Sequence, residues 1–470
     1  MRSFIFWLIY SLCVFEDLLA RLVDEALRLG ASYADVRARR GYGVRVEVVD
    51  GGVRDVRWGF EEGLNVRVLV GDAWGFACAP LSLEGGLRAV VEAIESARPL
   101  RRGGRLSLPS RPSSKSRFRC EVRRPTADVG VEEKVDLALS ACREMLSYDP
   151  RVKSSTALYS DLVEHREVYT SDGRYGEVEA SYVYFSASAY AEEAGLRQRG
   201  FKVVAGVGGY EVVDEALSAA REASSLAVKL LSAPPPPAGR HTCILDPEIA
   251  GTFIHEAFGH ACEADLVLSG SSVLEGRVGQ RVGSELVTVV DDPTLNLFGW
   301  SPVDDEATVA RRTVLVDGGV LKGYLHSLET STLMGAQPTG NARSQSYAHR
   351  PIVRMTNTFI APGDWSLEEL MEGVEEGLYV KGSSYGYVDT AKGVFSFKCK
   401  EAYLIKHGEP VKLLRDVALS GETLDVLSRV DAVGRDLSFN PGYCGKEGQH
   451  VPVTDGSPHI RVGGVLVGGG

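Results

Sequence analysis

No two of the eight cysteines, at positions 13, 78, 120, 142, 243, 262, 399 and 444, are spaced as Cys-x-x-Cys. Thiols scattered this widely in a long chain exclude a disulfide framework and point to a reducing compartment, the cytoplasm. An excess of positive charge is missing as well. The net charge of −11 argues against general affinity for nucleic acid, which needs a basic surface. Nor is there an apolar run long enough to cross a bilayer. Phe4 to Phe15 is nearly unbroken behind a single Arg2, but it is too short to span, and no small-residue cleavage site follows it. Glu16-Asp17 makes a good helix start on its own. Residues 1–15 are therefore read as an apolar extension from an upstream start rather than as a signal, an anchor or a cap on the first helix, and no membrane association is expected.

What is present is ordinary for a globular protein: 44% apolar and 24% charged residues over 470 positions, enough for two or three domains. The first, 16–98, reads as α/β. A helix over 18–29 stops at Gly30, segments 33–49 and 53–79 alternate like strands about an Asp50-Gly51-Gly52 turn, and a second helix covers 82–97. Residues 99–125 break the pattern: nine basic residues against one acidic lie between 101 and 124, mixed with Pro, Ser and Gly. With almost no aromatics for base stacking, the segment reads as a solvated linker and not as a nucleic-acid arm.

A second α/β unit, 126–233, has helices near 131–147 and 211–232. Between them come strands at 151–162, 165–171, 176–190 and 195–206. Its Gly206-Val207-Gly208-Gly209 stretch is a poor dinucleotide loop, because strand, third glycine and following acid do not line up. Pro234 to Pro237 cannot continue a helix and mark a boundary. Residues 240–470 are mostly β, with strands expected at 242–245, 286–291, 312–316, 320–328, 351–360, 393–397, 401–406 and 459–467. Helices are expected at 247–259 and 366–377. The fold class is α+β: N-terminal α/β subdomains with mixed sheets, followed by a β-rich C-terminal domain.

The chemistry concentrates in Ile254-His255-Glu256-Ala257-Phe258-Gly259-His260-Ala261-Cys262-Glu263-Ala264-Asp265. Two imidazoles suit a borderline cation such as Zn2+, and a carboxylate beside such a site can take a proton from water. The pattern differs from H-E-x-x-H by one added residue. On a regular α-helix five residues turn a side chain by about 500°, leaving the two rings roughly 140° apart. Two ligands of one ion must converge, so either a π-bulge absorbs the extra residue or the helix gives way at Gly259. A third ligand must come from elsewhere, with Glu263, Asp265, His326, His349, Cys399, Cys444 and His450 as candidates; Cys262 is too close along the chain. Cys444 sits in the low-bulk turn Pro441-Gly442-Tyr443-Cys444-Gly445-Lys446, where Lys446 would stabilise a thiolate. On the residues alone a buried free cysteine is the favoured account. His349, Tyr347 and Arg354 are available to stabilise an oxyanion, or to serve as cavity wall, strand pairing or partners of Asp291 or Asp292. Gly382-Ser383-Ser384-Tyr385-Gly386 matches G-x-S-x-G, but without the strand-then-helix order a serine nucleophile needs.

The runs at 255–265, 288–294 (Thr-Val-Val-Asp-Asp-Pro-Thr), 338–349, 354–358 and 443–449 (Tyr-Cys-Gly-Lys-Glu-Gly-Gln) resemble the TldD branch of the TldD/PmbA family. The likeness covers essentially everything from residue 16 onward. It implies a zinc metallopeptidase whose metal is held by His255, His260 and Cys444, with Glu256 as general base. It also implies a PmbA/TldE-like partner subunit or a homodimer, and a peptide substrate lying against a sheet edge in a closed cavity. The alternative is a non-catalytic, zinc-stabilised binding or regulatory subunit, in keeping with the family's older description as a gyrase modulator.

Overall fold

The computed structural model describes residues 15–469; apart from Phe15, the apolar extension lies outside them. The chain opens with α1 (Glu16–Arg28), whose Leu19, Leu22, Val23 and Ala26 form one buried stripe at helical spacing. Strands β1 (Tyr33–Val49) and β2 (Gly52–Val70) form a long hairpin. They turn through Asp50 and Gly51, both at positive φ, as a two-residue turn matched to strand twist requires. Gly71-Asp72 then splits what alternation alone reads as one strand, and β3 (Ala73–Ala79) returns. Helix α2 (Leu83–Ala97), capped by Ser82, closes the unit.

The central unit repeats this order. After β4 (Ser114–Arg119) come α3 (Val131–Tyr148), β5 (Val152–Thr170), β6 (Arg174–Glu193), β7 (Leu196–Val207) and α4 (Ala216–Leu230). Each unit is thus helix, three-stranded meander, helix. The two meanders share one sheet, ordered β3-β2-β1-β5-β6, because β1 and β5 pair antiparallel along fifteen residues, Asp35↔Thr170 to Val49↔Thr156. In each half a helix lies directly on a strand glycine. A Cβ on Gly75 would sit 1.8 Å from the Ala93 carbonyl of α2, and one on Gly200 1.8 Å from the Ala223 carbonyl of α4.

Residues 99–125 are not a free linker throughout. β4 pairs parallel with the start of β6, and its cations meet that strand's acids: Arg117 lies 2.9 Å from Glu177 and Arg119 3.2 Å from Glu179. Arg111 pairs with Asp172 at 2.7 Å. Arg111, Arg117 and Arg119 of the basic run are thus matched by acids more than fifty residues away, which composition cannot show.

The C-terminal part has two sheets. Strands β8 (Gly239–Leu245), β15 (Glu376–Asp389), β16 (Val394–Lys406), β18 (Val417–Glu422) and β22 (Ile460–Gly469) close on one another as a barrel, with β17 (Glu409–Leu414) and β19 (Val430–Val433) alongside. The other is an open sheet ordered β11-β10-β9-β14-β21-β20. Its strands are β9 (Val289–Asp291), β10 (Thr313–Asp317), β11 (Val320–Leu321), β14 (Asn357–Ile360), β20 (Ser438–Lys446) and β21 (Gln449–Ser457). A short pair, β12 (Ala342–Arg343) and β13 (Ile352–Val353), falls between β11 and β14 in the chain. Several expectations are corrected here. The strand at 320–328 stops at Leu321, the helix at 366–377 ends at Glu372, and 393–397 with 401–406 form one strand. Segments 376–389, 409–422 and 430–457 are strands that glycine, proline and polar residues had concealed.

The N-terminal sheet is tied to this part by buried ion pairs on one loop: Arg37 and Arg166 reach Asp305 at 2.8 Å each, and Arg67 reaches Glu306 at 2.7 Å. The contact of α4 with Gly200 gives a direct test of the fold. Gly200→Ala should cost about 1–3 kcal/mol of stability through overpacking against helix backbone, read as a lowered urea midpoint at unchanged m-value.

Candidate metal centre

Helix α5 (Pro247–Phe253) begins at an Asp246 cap whose carboxylate accepts from the Ile249 N–H at 2.9 Å, with Pro247 at its first position. It lies so close to β21 that a Cβ on Gly251 would stand 2.6 Å from Asp455 Oδ1. From Ile254 to Gly259 the helix widens into a π turn, and the His260 N–H donates to the His255 carbonyl, five residues back. A 3-10 turn, His260–Cys262, follows before α6 (Ala264–Leu268). Bonding from i to i+5 puts residues five apart on one face. The two imidazoles accordingly meet edge to face with ring centres 5.4 Å apart. Met355 packs into the space a side chain at Gly259 would take: a Cβ there would lie 2.2 Å from Met355 Sδ.

β20 carries Cys444 to the same place. Its Sγ is 3.3 Å from His260 Nε2, and one ligand atom each from His255, His260 and Cys444 lie within 4.8 Å of one another, all three residues buried. His260 Nδ1 is 2.8 Å from Glu263 Oε2. An ionised carboxylate only accepts, so the proton sits on Nδ1 and Nε2 is turned toward the sulfur, as metal-binding histidines are commonly oriented. His255 Nδ1 is buried with no hydrogen-bond partner. Two imidazoles, a thiol and an orphaned ring nitrogen fit a zinc-like cation.

Electrostatics agree with the geometry. Burial alone would raise the Cys444 thiol, but His260 and His255 hold it well below its ordinary value. Burial would likewise lower His260, and Glu263 and Cys444 raise it well above the usual imidazole range. Glu263 is held down to about 2 against its own burial, chiefly by Lys446 and His260. Glu256 is half-exposed, its Oε2 3.8 Å from His260 Nε2. His255 and Glu256 open into a cavity of about 390 Å3 lined also by Lys202, Ser384, Lys400 and Asn440.

The other residues singled out by sequence lie elsewhere or act differently. Lys446 does not serve the sulfur: its ammonium is committed to Asp265 at 2.7 Å, Glu263 at 3.1 Å and the Val353 carbonyl at 2.9 Å. Arg354 is wholly buried and donates to the carbonyls of Cys444 at 2.5 Å and Gln449 at 3.3 Å, holding β20 rather than pairing with Asp291 or Asp292. The Tyr347 ring packs over Gly63, and His349 bonds Ser346 at 2.8 Å while its carbonyl accepts from Arg37. His349 and His450 line a different cavity. Cys399 lies in the barrel core on β16, and Gly382 to Gly386 lie inside β15, with no helix to form a nucleophile elbow. Asp455 was missed. Burial pushes it up to about 7 although His255 opposes this, and nothing near it in sequence marks it.

Fold and site together define the class of protein: a candidate metalloprotein whose three-donor cluster keeps one side open to a cavity. The chain belongs to the PmbA/TldD metallopeptidase family. Residues 34–97 match domain 1 of the PmbA/TldA metallopeptidase, 124–231 its central domain and 238–469 its C-terminal domain. A metalloprotease of Methanocaldococcus jannaschii is 41% identical over 443 residues, covering 93% of this chain and 97% of its own. A zinc metalloprotease TldD homolog of Saccharolobus solfataricus is 31% identical, covering 96% and 99%. Among solved structures, TldE from Thermococcus kodakarensis superposes with a TM-score of 0.76 at 18% identity, covering 96% of this chain and 100% of that one. A Thermotoga maritima protein proposed to modulate DNA gyrase gives 0.80 at 22%, covering 97% and 100%. These two show the shared fold. No described helix is long and apolar enough to cross a membrane.

Two measurements probe the site. Purified protein should carry about one divalent metal ion per chain by elemental analysis, and Cys444→Ser should lose most of it; equal metal in both would separate the sulfur from the cluster. His326 bonds Thr330 at 3.2 Å, outside the cluster, and burial holds its pKa down to about 4. Its folded value lies below its unfolded one, so the unfolded chain binds more protons between pH 6.5 and 4 and stability must fall as pH falls through that window. The loss is on the order of 3 kcal/mol, and urea titrations of His326→Gln should show it removed.

Proposed function

We propose that the chain is a zinc-dependent metallopeptidase acting on small or unfolded peptides through His255, His260 and Cys444 as ligands and Glu256 as general base. The observation that carries this is the convergence of two imidazoles and a thiol within 4.8 Å beside a carboxylate that opens on the same cavity as His255. When bound, the ion supplies a Lewis acid that polarises a carbonyl and acidifies water. Glu256 then takes the proton of the attacking water on its carboxylate and returns it to the departing amine. Glu263 orients His260, and Arg354 holds the Cys444 main chain, so both position ligands without touching substrate. His349, Tyr347 and Arg354 are spent on other contacts; residues with donors that line the cavity are Lys202, Lys400 and Asn440.

The peptide is proposed to add as a strand to β15. That strand pairs with β8 only over Gly377–Val380, so from Ser384 onward its outer edge is free, and Ser383 and Ser384 line the cavity. A second subunit, PmbA/TldE-like or another copy, is supported by the outer part of β2. There Val53, Val56, Trp58 and Phe60 are exposed along an edge that β3 reaches only from Leu64. The seven described cysteines are all free thiols, in keeping with a reducing cytoplasm.

A zinc-stabilised, non-catalytic binding subunit is the second reading, and Glu256 separates the two. Glu256→Gln should keep its zinc and its melting temperature yet lose about 10²–10⁴-fold in kcat on an unstructured peptide. Undiminished hydrolysis by that variant would end the proposal.

A further inference from the structure

The cavity beside His255 and Glu256 continues into a second groove of about 200 Å3, Phe201, Ser384 and Lys400 lining both. This groove runs between β7 and the paired strands β15 and β16, where Ser384 and Tyr385 lie beside Lys398 and Lys400. Four cations line it, Arg197, Arg199, Lys398 and Lys400, against one carboxylate, Asp416. In a chain of net charge −11 the local excess is opposite in sign to the molecule.

Two of the four are already matched. Lys400 lies 2.5 Å from Glu248 and Lys398 3.2 Å from Asp416. Asp416 is also shared with Arg415 and accepts from Gln198 at 3.2 Å. Arg197 and Arg199 have no carboxylate partner among the described residues. Both are held by stacking instead: Arg197 is 4.5 Å from the centre of the Tyr190 ring, and Arg199 4.6 Å from that of Phe201. Arg199 spends its Nε on Ser188 at 2.8 Å, which leaves its terminal amino groups free. A guanidinium resting over a ring keeps N–H groups available, in a fork that matches a carboxylate with two parallel bonds.

We propose that this groove is a carboxylate-binding subsite for the substrate, so that peptides bearing an acidic group beyond the scissile bond bind in preference to neutral ones. This rests on the peptidase reading above. The peptide strand on β15 would pass Ser384 and Tyr385 and bring its carboxylate against Arg197 and Arg199. The group is either an Asp or Glu side chain or the peptide's own C-terminus, since both present the same two oxygens.

The test reads binding rather than turnover. Full-length Glu256→Gln protein is titrated by fluorescence anisotropy with peptides identical except for Glu, Gln or Lys on either flank, each as free acid and as C-terminal amide. At low salt either Glu peptides should bind about fivefold tighter than their Gln counterparts or free acids about fivefold tighter than their amides, and the ratio should shrink as salt is raised. Added substitutions R197Q and R199Q should bring the acidic-to-neutral ratio to about one; R197E with R199E should invert it toward Lys peptides. A preference that disappears on amidation places the terminal carboxylate in the groove, and one that follows Glu places a side chain there. Equal affinities, a preference that survives R197Q/R199Q, or no binding at millimolar peptide would overturn the subsite. The peptidase reading fails separately, if peptides that bind with the expected charge preference are never cut by the wild-type chain.

Discussion

The structure depends on a problem of angular placement. His255 and His260 are separated by a number of residues that a regular α-helix would turn to different faces, yet their rings meet edge to face. The π turn resolves this with one hydrogen bond, from the His260 N–H to the His255 carbonyl, and with a glycine whose missing side chain lets Met355 close over the bend. π turns are rarely tolerated unless the surroundings over-determine them. Here they do: Asp246 pins the start of α5 and also accepts from the Gly382 N–H of β15, while Gly251 presses on β21. The distorted turn is wedged between barrel and open sheet.

Around the three donors the charges are arranged in a chain rather than a ring. Lys446 holds Asp265 and Glu263, Glu263 holds His260, and His260 faces Cys444. A buried carboxylate is costly unless paired, and here the partner on one side is an ammonium and on the other an imidazole. The result is a ring nitrogen aimed at the sulfur by groups that lie outside the cavity. Arg354 does the same for the main chain, since a wholly buried guanidinium bonded to the Cys444 carbonyl fixes where the sulfur can stand.

The N-terminal half supplies walls, not ligands. Its two units repeat helix, meander and helix, and pair through β1 and β5 into one sheet. β7 of the second unit, through Phe201 and Lys202, forms one side of the cavity whose floor carries His255 and Glu256, and Arg197 and Arg199 extend that wall outward. The site is thus composite. Strands β15 and β16 of the barrel lie on one side, and a charged strand from a different unit faces them.

Local pattern made certain features legible in the chain: the amphipathic stripes of α1 and α2, the Asp50-Gly51 turn, the proline stop at 234–237, and the need for a π turn or a break near Gly259. Each follows from contacts within a few residues, which periodicity records. The family resemblance added Cys444 to the ligand set, which residue types alone had left among seven candidates. What only the tertiary structure decided was everything set by strand pairing and close approach. That includes the neutralised strand at 114–119, the barrel hidden in glycine-rich stretches, the commitment of Lys446 to Glu263 rather than to the sulfur, and the position of Asp455 beside His255. A strand's partners are fixed by hydrogen bonds across a sheet, and a buried ion's partners by whichever charge the packing delivers; neither leaves a trace in the spacing of neighbouring residues.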